Sequence, residues 1–470
     1  MNTTVNTKRA LDVVILAAGK GSRMHSSKPK VLHPIGGKTM LEHVIDAGCA
    51  MNSRSTHVVV GYGADQIQQH FEHKPSQADL VWASQDQQLG TGHAVQQALP
   101  AIDTSGNDNL VLILYGDVPL IKTETLARLI DQADASSLSL LTLITETPAG
   151  LGRIIRDEKD SIVAIVEEKD ATDEEKTIQE INSGIMVVPA QSLDDWLAKG
   201  GNENQQGEYY LTDVIAMAAE SGFTINATVI RDSFEVQGVN DKTQLALLER
   251  HYQMNNAEQL LEAGVSLRDP ARLDIRGELI VGSDVEIDVN VIFEGDVTLG
   301  NNVKIGANVI VKDTSIGDGS KILAGSNIEG ADIRSNASVG PYARVRPGTV
   351  LNDEVKIGNF VETKNAVLGK GTKAGHLAYI GDATLGENVN VGAGTIVCNY
   401  DGVNKHQSII GNNVFIGSNS VLVSPVVLED NAFIAAGSAI NSDVPSDHLA
   451  VGRGKQRNIP GWKRPKKSEL

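Results

Sequence analysis

VEIDVNVIFEGDVTLGNNVKIG, residues 285–306, places a large apolar residue at every sixth position: Ile287, Phe293, Leu299 and Ile305. The stride extends outward to Ile275 and Val281 on one side and Val311 on the other. After short register slips it resumes as Ile333, Val339, Val345, Leu351 and Ile357, and again as Ile410, Ile416, Leu422, Leu428, Ile434 and Ile440. A second apolar residue stands two places earlier in Val285-Glu286-Ile287 and Val303-Lys304-Ile305, so both point to one face of a short strand while the residue between them faces water. Gly300-Asn301-Asn302 and Gly317-Asp318-Gly319 then supply residues that tolerate the positive φ of a tight bend. An α-helix cannot hold a single stripe at period six. Each sextet is therefore a strand plus a corner, and three sextets close a triangular coil, which predicts a parallel solenoid with one aliphatic ladder along its axis.

Composition agrees with such a narrow, corner-rich core: the 470 residues include 46 glycines, and only 4% are aromatic. A net charge of −18, from 41 Lys+Arg against 59 Asp+Glu, disfavours nonspecific nucleic-acid binding by the body of the protein. Against that trend, Arg453, Lys455, Arg457, Lys463, Arg464, Lys466 and Lys467 form a basic run suited either to a polyphosphate ligand or to a solvated tail. Two distant cysteines, Cys49 and Cys398, give neither a disulfide framework nor a zinc spacing. With no apolar run of membrane-spanning length and no signal-like apolar stretch in MNTTVNTKRA, a cytoplasmic location is expected.

Ahead of the solenoid, strand-like runs at 13–16, 58–61, 80–82 and 110–114 alternate with helical patterns at 40–50, 92–99 and 123–133. That alternation predicts an α/β domain with a largely parallel sheet. The expected division is 1–240 for this domain, 241–264 for a linking helix stopped by Gly264, 265–445 for the solenoid and 446–470 for the basic tail.

The first strand runs into Leu16-Ala17-Ala18-Gly19-Lys20-Gly21-Ser22-Arg23-Met24, a glycine-rich loop whose backbone N–H groups could approach a phosphate. It is not a dinucleotide fingerprint, because Met24 occupies the third glycine position, and Gly37-Lys38-Thr39 is not a Walker loop, because Leu32 replaces the first glycine. The longer string, LAAGKGSRM followed by KPKVLHPIGGKTM, closely resembles the sugar-nucleotide pyrophosphorylases, and the hexads resemble the hexapeptide-repeat acyltransferases, whose fold is a left-handed parallel β-helix. The resemblance spans about residues 10–465, with a few extra residues between Gly61 and Gln85.

What the resemblance implies is an α/β protein: a Rossmann-like nucleotidyltransferase domain, a linking helix and a left-handed β-helix, assembled as a homotrimer. It implies two reactions on small-molecule substrates, without nucleic acid or membrane. Acetyl-CoA acetylates glucosamine 1-phosphate, and UTP with Mg2+ then uridylates N-acetylglucosamine 1-phosphate to give UDP-N-acetylglucosamine for cell-wall and lipid A synthesis. Arg23 would neutralise departing pyrophosphate and Lys30 the α-phosphate, since phosphoryl transfer needs fixed cations. Asp117 in Tyr115-Gly116-Asp117 and Asn240 would hold the metal. Leu16, Ala17, Ala18, Gly19, Gln85, Gly90 and Thr91 would line the nucleotide site, with Gln85, Gly90 and Thr91 reading the uracil edge. Gly152, Glu167, Asn182 and the stretch GEYYLTD from Gly207 would meet the sugar.

In the solenoid, the resemblance implies His376 as the base that takes the amine proton, in keeping with a near-neutral imidazole, although a lone histidine on a coil is ordinarily surface. Arg346, Lys364, Tyr379 and Asn390 would bind the sugar phosphate. Ala393, Asn399, Tyr400, Ser418, Ala436 and Arg453 would bind acetyl-CoA, Asn399 and Tyr400 on the insertion CNYDGVNKHQS that leaves the coil as a loop. Two rival readings remain: a pyrophosphorylase whose solenoid serves only assembly or control, and a non-catalytic scaffold built from the same two domain types.

Overall fold

The structure is a computed structural model and describes residues 10–72, 80–106 and 108–464, so Lys466, Lys467 and part of the stretch between Gly61 and Gln85 lie outside the described residues. The chain forms two compact units that divide between Tyr252 and Gln253, inside the helix Lys242–Glu262.

The first unit is built on a nine-stranded sheet whose main order is Thr224–Ile230, Ser137–Ile144, Glu180–Pro189, Leu110–Tyr115, Leu11–Ala17, Ser55–Val60 and Leu80–Ser84. Leu11–Ala17 is flanked in parallel by Ser55–Val60 and Leu110–Tyr115, so the carboxyl ends of the central strands lie together. Along this order the sheet is largely parallel, as expected, the exception being Glu180–Pro189, which runs antiparallel to both of its neighbours. The central strands are apolar and buried on both faces (Leu11–Ala17 reads LDVVILA and is buried throughout), as expected for a sheet covered on two sides. Helix Met40–Cys49 starts at a capping box: the Thr39 hydroxyl accepts from Glu42 N–H and Glu42 accepts from Thr39 N–H.

A carboxylate lies buried in the first of those strands. Asp12 is fully buried beneath Arg54, with Ser55 Oγ donating to its Oδ1 at 2.8 Å. Burial alone would raise its pKa, but hydrogen bonds from His57, Arg54 and Ser55 outweigh it and lower the carboxyl from 3.8 to about 2. A carboxyl whose folded pKa is depressed contributes its stabilisation fully above the unfolded value and loses it as pH falls through the folded value. The contribution is on the order of 2 kcal/mol, present above about pH 4 and lost by about pH 2. Asp12→Asn is therefore expected to lower Tm at neutral pH and to flatten the fall in Tm between those two pH values, as thermal melts across that range would show.

The second unit is a triangular parallel β-helix. Two-residue strands such as Glu286–Ile287, Lys304–Ile305 and Lys321–Ile322 stack in parallel into an eleven-stranded sheet forming one face. Longer strands such as Leu273–Val281 and Val291–Leu299 bend at Gly277 and Gly295, so a fourteen-stranded sheet covers the other two faces. The hexad residues point inward: Ile287, Phe293, Leu299, Ile305 and Val311 are buried in one continuous core, with Val281 packed at its margin. Corners are turned mostly by Asn, Asp and Gly at positive φ, including Asn290, Asn302 and Asn308. The register slips have a visible cause, since Phe293 pairs with Val311 but Val297 with Thr314, one corner residue having been dropped. Leu449–Ala450 adds a last rung on Phe433–Ile434, beyond the limit of 445 expected for the solenoid.

Candidate functional site

In the first unit, the motif loop leaves the strand Leu11–Ala17 and turns through a short 3-10 helix, Ser22–Met24. Gly21 has φ 58, and a Cβ there would lie 2.7 Å from the Lys30 Cβ, so the glycine is what lets Lys30 fold back against the loop. Lys30 ion-pairs with Asp117 and lies 3.5 Å from Asn240 Oδ1, which also accepts from Arg23 Nη2 at 3.0 Å. Arg23, Lys30, Asp117 and Asn240, separated in the chain by up to 217 positions, thus converge on one point. Asn240 is held there by its own N–H, which donates to Gln244 Oε1 at 2.7 Å, and Val239 N–H donates to the Asp117 carbonyl at 2.9 Å.

Beside this cluster opens a cavity of about 240 Å³ at the carboxyl edge of the sheet. Leu16, Ala17, Ala18 and Gly19 form its floor, with Lys30, Tyr115 and Asp117 at one side and Gln85, Gly90 and Thr91 at the other. Gly116 stays behind the wall, its Cα packed toward Leu41, Ala17 and Val31. Gly90 has φ 118 and a Cβ there would lie 2.5 Å from Tyr209 O, which explains a glycine at that edge. Gly152, Glu167 and Asn182 gather as a second group: Asn182 N–H donates to Gly152 O at 2.9 Å and Thr212 Oγ1 to Glu167 Oε1 at 3.1 Å. Burial raises the Glu167 pKa above the ordinary carboxylate value, and Asp170 and Asp213 add repulsion that the Thr212 hydrogen bond only partly offsets.

In the second unit, His376 lies at a corner, where its Nδ1 is 2.7 Å from Asn359 Oδ1 on the preceding coil. An amide oxygen only accepts, so Nδ1 carries the proton and Nε2 keeps its lone pair. Asn359, His376, Ala393, Ser418 and Ala436 occupy equivalent positions on successive coils, joined by bonds such as Asn419 N–H to Ala393 O at 2.7 Å and Gly437 N–H to Ser418 O at 2.8 Å, and the Arg453 guanidinium, from the segment after the last strand, donates through Nη1 to Ala436 O at 2.7 Å. Three rung spacings separate His376 from Ala436, where the Arg453 guanidinium is held, about 14 Å of straight track.

Arg346, Lys364 and Tyr379 stand on a different face, in the fourteen-stranded sheet. Arg346 pairs with Glu362 at 2.7 Å, and Lys364 has its pKa lowered first by Lys405 and then by Arg346. Lys405 comes from the insertion, which is a built hairpin: Tyr400 bridges Lys405, while Asp401 accepts from Val403 and Asn404 N–H and pairs with His406 at 2.7 Å. Asn399 is tied to Asp382 and lies 3.5 Å from the Tyr379 hydroxyl. Asn390 is not with this group, because it pairs with Lys373 and Phe415 in the eleven-stranded sheet. A larger groove of about 540 Å³ lies over the first coils among Arg268, Glu286, Lys304 and Lys321 and contains none of the motif residues.

Residues 13–151 match the MobA-like NTP transferase domain, and 275–367 and 327–435 match the GMPPB C-terminal domain. Among curated proteins, "Bifunctional protein GlmU" of Marinobacter nauticus is 55% identical over 458 residues, covering 97% of this chain and 99% of that protein. The proteins of the same name from Pseudomonas syringae pv. syringae and Stutzerimonas stutzeri are 54% and 52% identical, each over 97% of this chain. The chain belongs to the bifunctional GlmU family. Its fold is accordingly a Rossmann-like nucleotidyltransferase domain followed by a left-handed parallel β-helix.

The GlmU family and its nucleotidyltransferase domain use a divalent metal. The donor set here fits one: the Lys30 ammonium already bridges Asp117 and Asn240, so a cation is held between those two oxygens. A hard metal that takes one or two protein oxygens and fills its shell with water and phosphate needs no more. Among the described residues there is no cluster of three or more His, Cys, Asp or Glu side chains that could hold a metal by themselves.

Reading the sequence missed Asn359, Lys405, Thr212 and His93. Asn359 was findable, being one coil of 17 residues before His376. Lys405 and Thr212 lie in quoted motifs and His93 two residues after Thr91, but nothing in their spacing shows which side chain turns inward. Lys405→Gln is expected to raise KM for glucosamine 1-phosphate about tenfold, the scale of one charged hydrogen bond, while KM for acetyl-CoA stays unchanged in steady-state assays.

Proposed function

We propose that this GlmU-family protein makes UDP-N-acetylglucosamine by two successive group transfers at two separate sites. In the first, the amine of glucosamine 1-phosphate attacks the acetyl carbonyl of acetyl-CoA; the new N–C bond replaces C–S, His376 Nε2 takes the amine proton and coenzyme A leaves as thiolate to be protonated. Asn359 keeps the imidazole in the tautomer that can do this. Arg346, Lys364 and Lys405 suit the sugar phosphate, since Lys405 and Arg346 both repel Lys364, Arg346 even while paired with Glu362, and a bound anion relieves that repulsion. The column ending at Arg453 suits the thioester carrier, an extended thread with phosphates at its far end.

In the second transfer, a phosphate oxygen of N-acetylglucosamine 1-phosphate attacks the α-phosphorus of UTP and pyrophosphate leaves. Arg23 and Lys30 offset the negative charge that grows on the α-phosphoryl and departing groups. Asp117 and Asn240 would hold Mg2+, which when bound supplies hard positive charge to the triphosphate. Gly152, Glu167 and Asn182 suit the acetylated sugar, and Gln85, Gly90 and Thr91 the uracil.

The observation that carries this reading is the pair of independent constellations, four converging charges and donors in one unit and an oriented imidazole in the other. A scaffold or an assembly-only solenoid requires neither. Purified protein given glucosamine 1-phosphate, acetyl-CoA, UTP and Mg2+ should release coenzyme A and pyrophosphate in equal amounts; release of pyrophosphate only when pre-acetylated sugar is supplied would leave a single-function enzyme.

A homotrimer is supported by the placement of Asn390 on a different face from Arg346 and Lys364, so that one chain does not gather the full set. It is supported also by Tyr342, Phe360 and Leu377, bulky residues at positive φ and about 60% exposed on consecutive coils beside His376. Light scattering should give three times the protomer mass. A cytoplasmic setting is supported by the free thiols Cys49 and Cys398, and no helix among the described residues is long and apolar enough to cross a membrane.

A further inference from the structure

Gln85 lines the proposed nucleotide cavity and is 3% exposed, so its amide has little freedom to exchange partners with water. Its Nε2 donates to the Gly90 carbonyl at 3.0 Å and to His93 Nδ1 at 3.0 Å. Both partners are acceptors: a carbonyl oxygen has no proton to give, and His93 meets the amide nitrogen with a bare Nδ1. Turning the amide over would set its oxygen against two lone pairs. The Oε1 is thereby left for the cavity, with no hydrogen-bond donor among the described residues. His93 is itself tethered on the helix Thr91–Ala98, where the Gln97 amide nitrogen donates to its carbonyl at 3.2 Å.

Which end of that amide faces the base matters, because the two pyrimidines differ at the edge it would meet. Uracil presents N3–H, a donor; cytosine presents a bare N3, an acceptor, at the same place. We propose that His93 is a positioning residue that fixes the Gln85 amide with its oxygen toward the base and so sets the preference for UTP over CTP. The proposal rests on the uridylyltransferase reading of this unit. His93 touches neither the base nor the phosphates in this scheme; it acts through Gln85, and nothing else in the proposed chemistry uses it.

The test uses the full-length protein and compares kcat/KM for UTP and CTP with N-acetylglucosamine 1-phosphate as acceptor. Asparagine places its amide group where Nδ1 lies and can still accept from Gln85, whereas glutamine reaches only to where Nε2 lies. His93→Gln and His93→Leu should lower the UTP-to-CTP ratio about fivefold, the worth of one lost hydrogen bond, and His93→Asn should keep it near that of the unaltered protein. KM for the sugar phosphate and the rate of acetyl transfer should not move, the latter serving as an internal check on folding. If all three variants lose UTP and CTP turnover in equal proportion, His93 is only part of the packing and the proposal is wrong. If leucine does not fold, the asparagine and glutamine pair decides alone, equal ratios overturning it. If the unaltered protein turns over neither nucleotide, the underlying reading of the unit fails instead, which the same assay shows separately.

Discussion

Replacing His376 with alanine should lower acetyl transfer by about 10²- to 10⁴-fold, the usual contribution of a positioned general base. The amine of glucosamine 1-phosphate must shed a proton as it attacks, and among the corner-column residues only His376 offers a neutral nitrogen base; Asn359, Ala393, Ser418 and Ala436 do not. Because the imidazole is exposed and, among the described residues, bonds only to Asn359, the substitution removes little packing, so stability should change by less than about 1 kcal/mol. Uridylyl transfer from pre-acetylated sugar should be unaffected. Parallel assays of the two half-reactions check this, and loss of both in a folded protein would contradict separate sites.

Asp117→Ala is expected to do the reverse, lowering uridylyl transfer on the order of 10³-fold, since charge stabilisation by a bound metal is worth several kcal/mol. The substitution leaves the Asp117 carbonyl to accept from Val239 N–H, so the loop geometry survives while the carboxylate disappears. Lys30 then loses its ion-pair partner and keeps only the longer approach to Asn240 at 3.5 Å. Acetyl transfer should persist, and excess magnesium should not restore the lost activity. Recovery at high metal concentration would place the main ligand elsewhere.

The period-six stripe made the solenoid legible because each inward residue depends on its own sextet and the coil beside it, so the information is local in sequence. The antiparallel direction of Glu180–Pro189 was not legible: INSGIMVVP reads as a buried strand, but chain direction comes from the connections around it. The Asp12 network was hidden for the opposite reason, being a single polar letter inside an apolar run. At the sites, the backbone-defined parts were readable from motifs, as with the loop at Gly19 and the carboxylate after Tyr115-Gly116. Side chains that arrive from another coil or from an insertion, Asn359 and Lys405, required the coil length and the hairpin to be known.

The column from His376 to Arg453 makes the solenoid a measuring rod. Each added or deleted coil would move the guanidinium by about 4.8 Å relative to the imidazole without disturbing either. If the thioester carrier lies along this column as proposed, an arm that matches the rung count places its acyl carbon and terminal phosphate at both ends at once, and carrier length is selected by arithmetic along the axis rather than by any one residue.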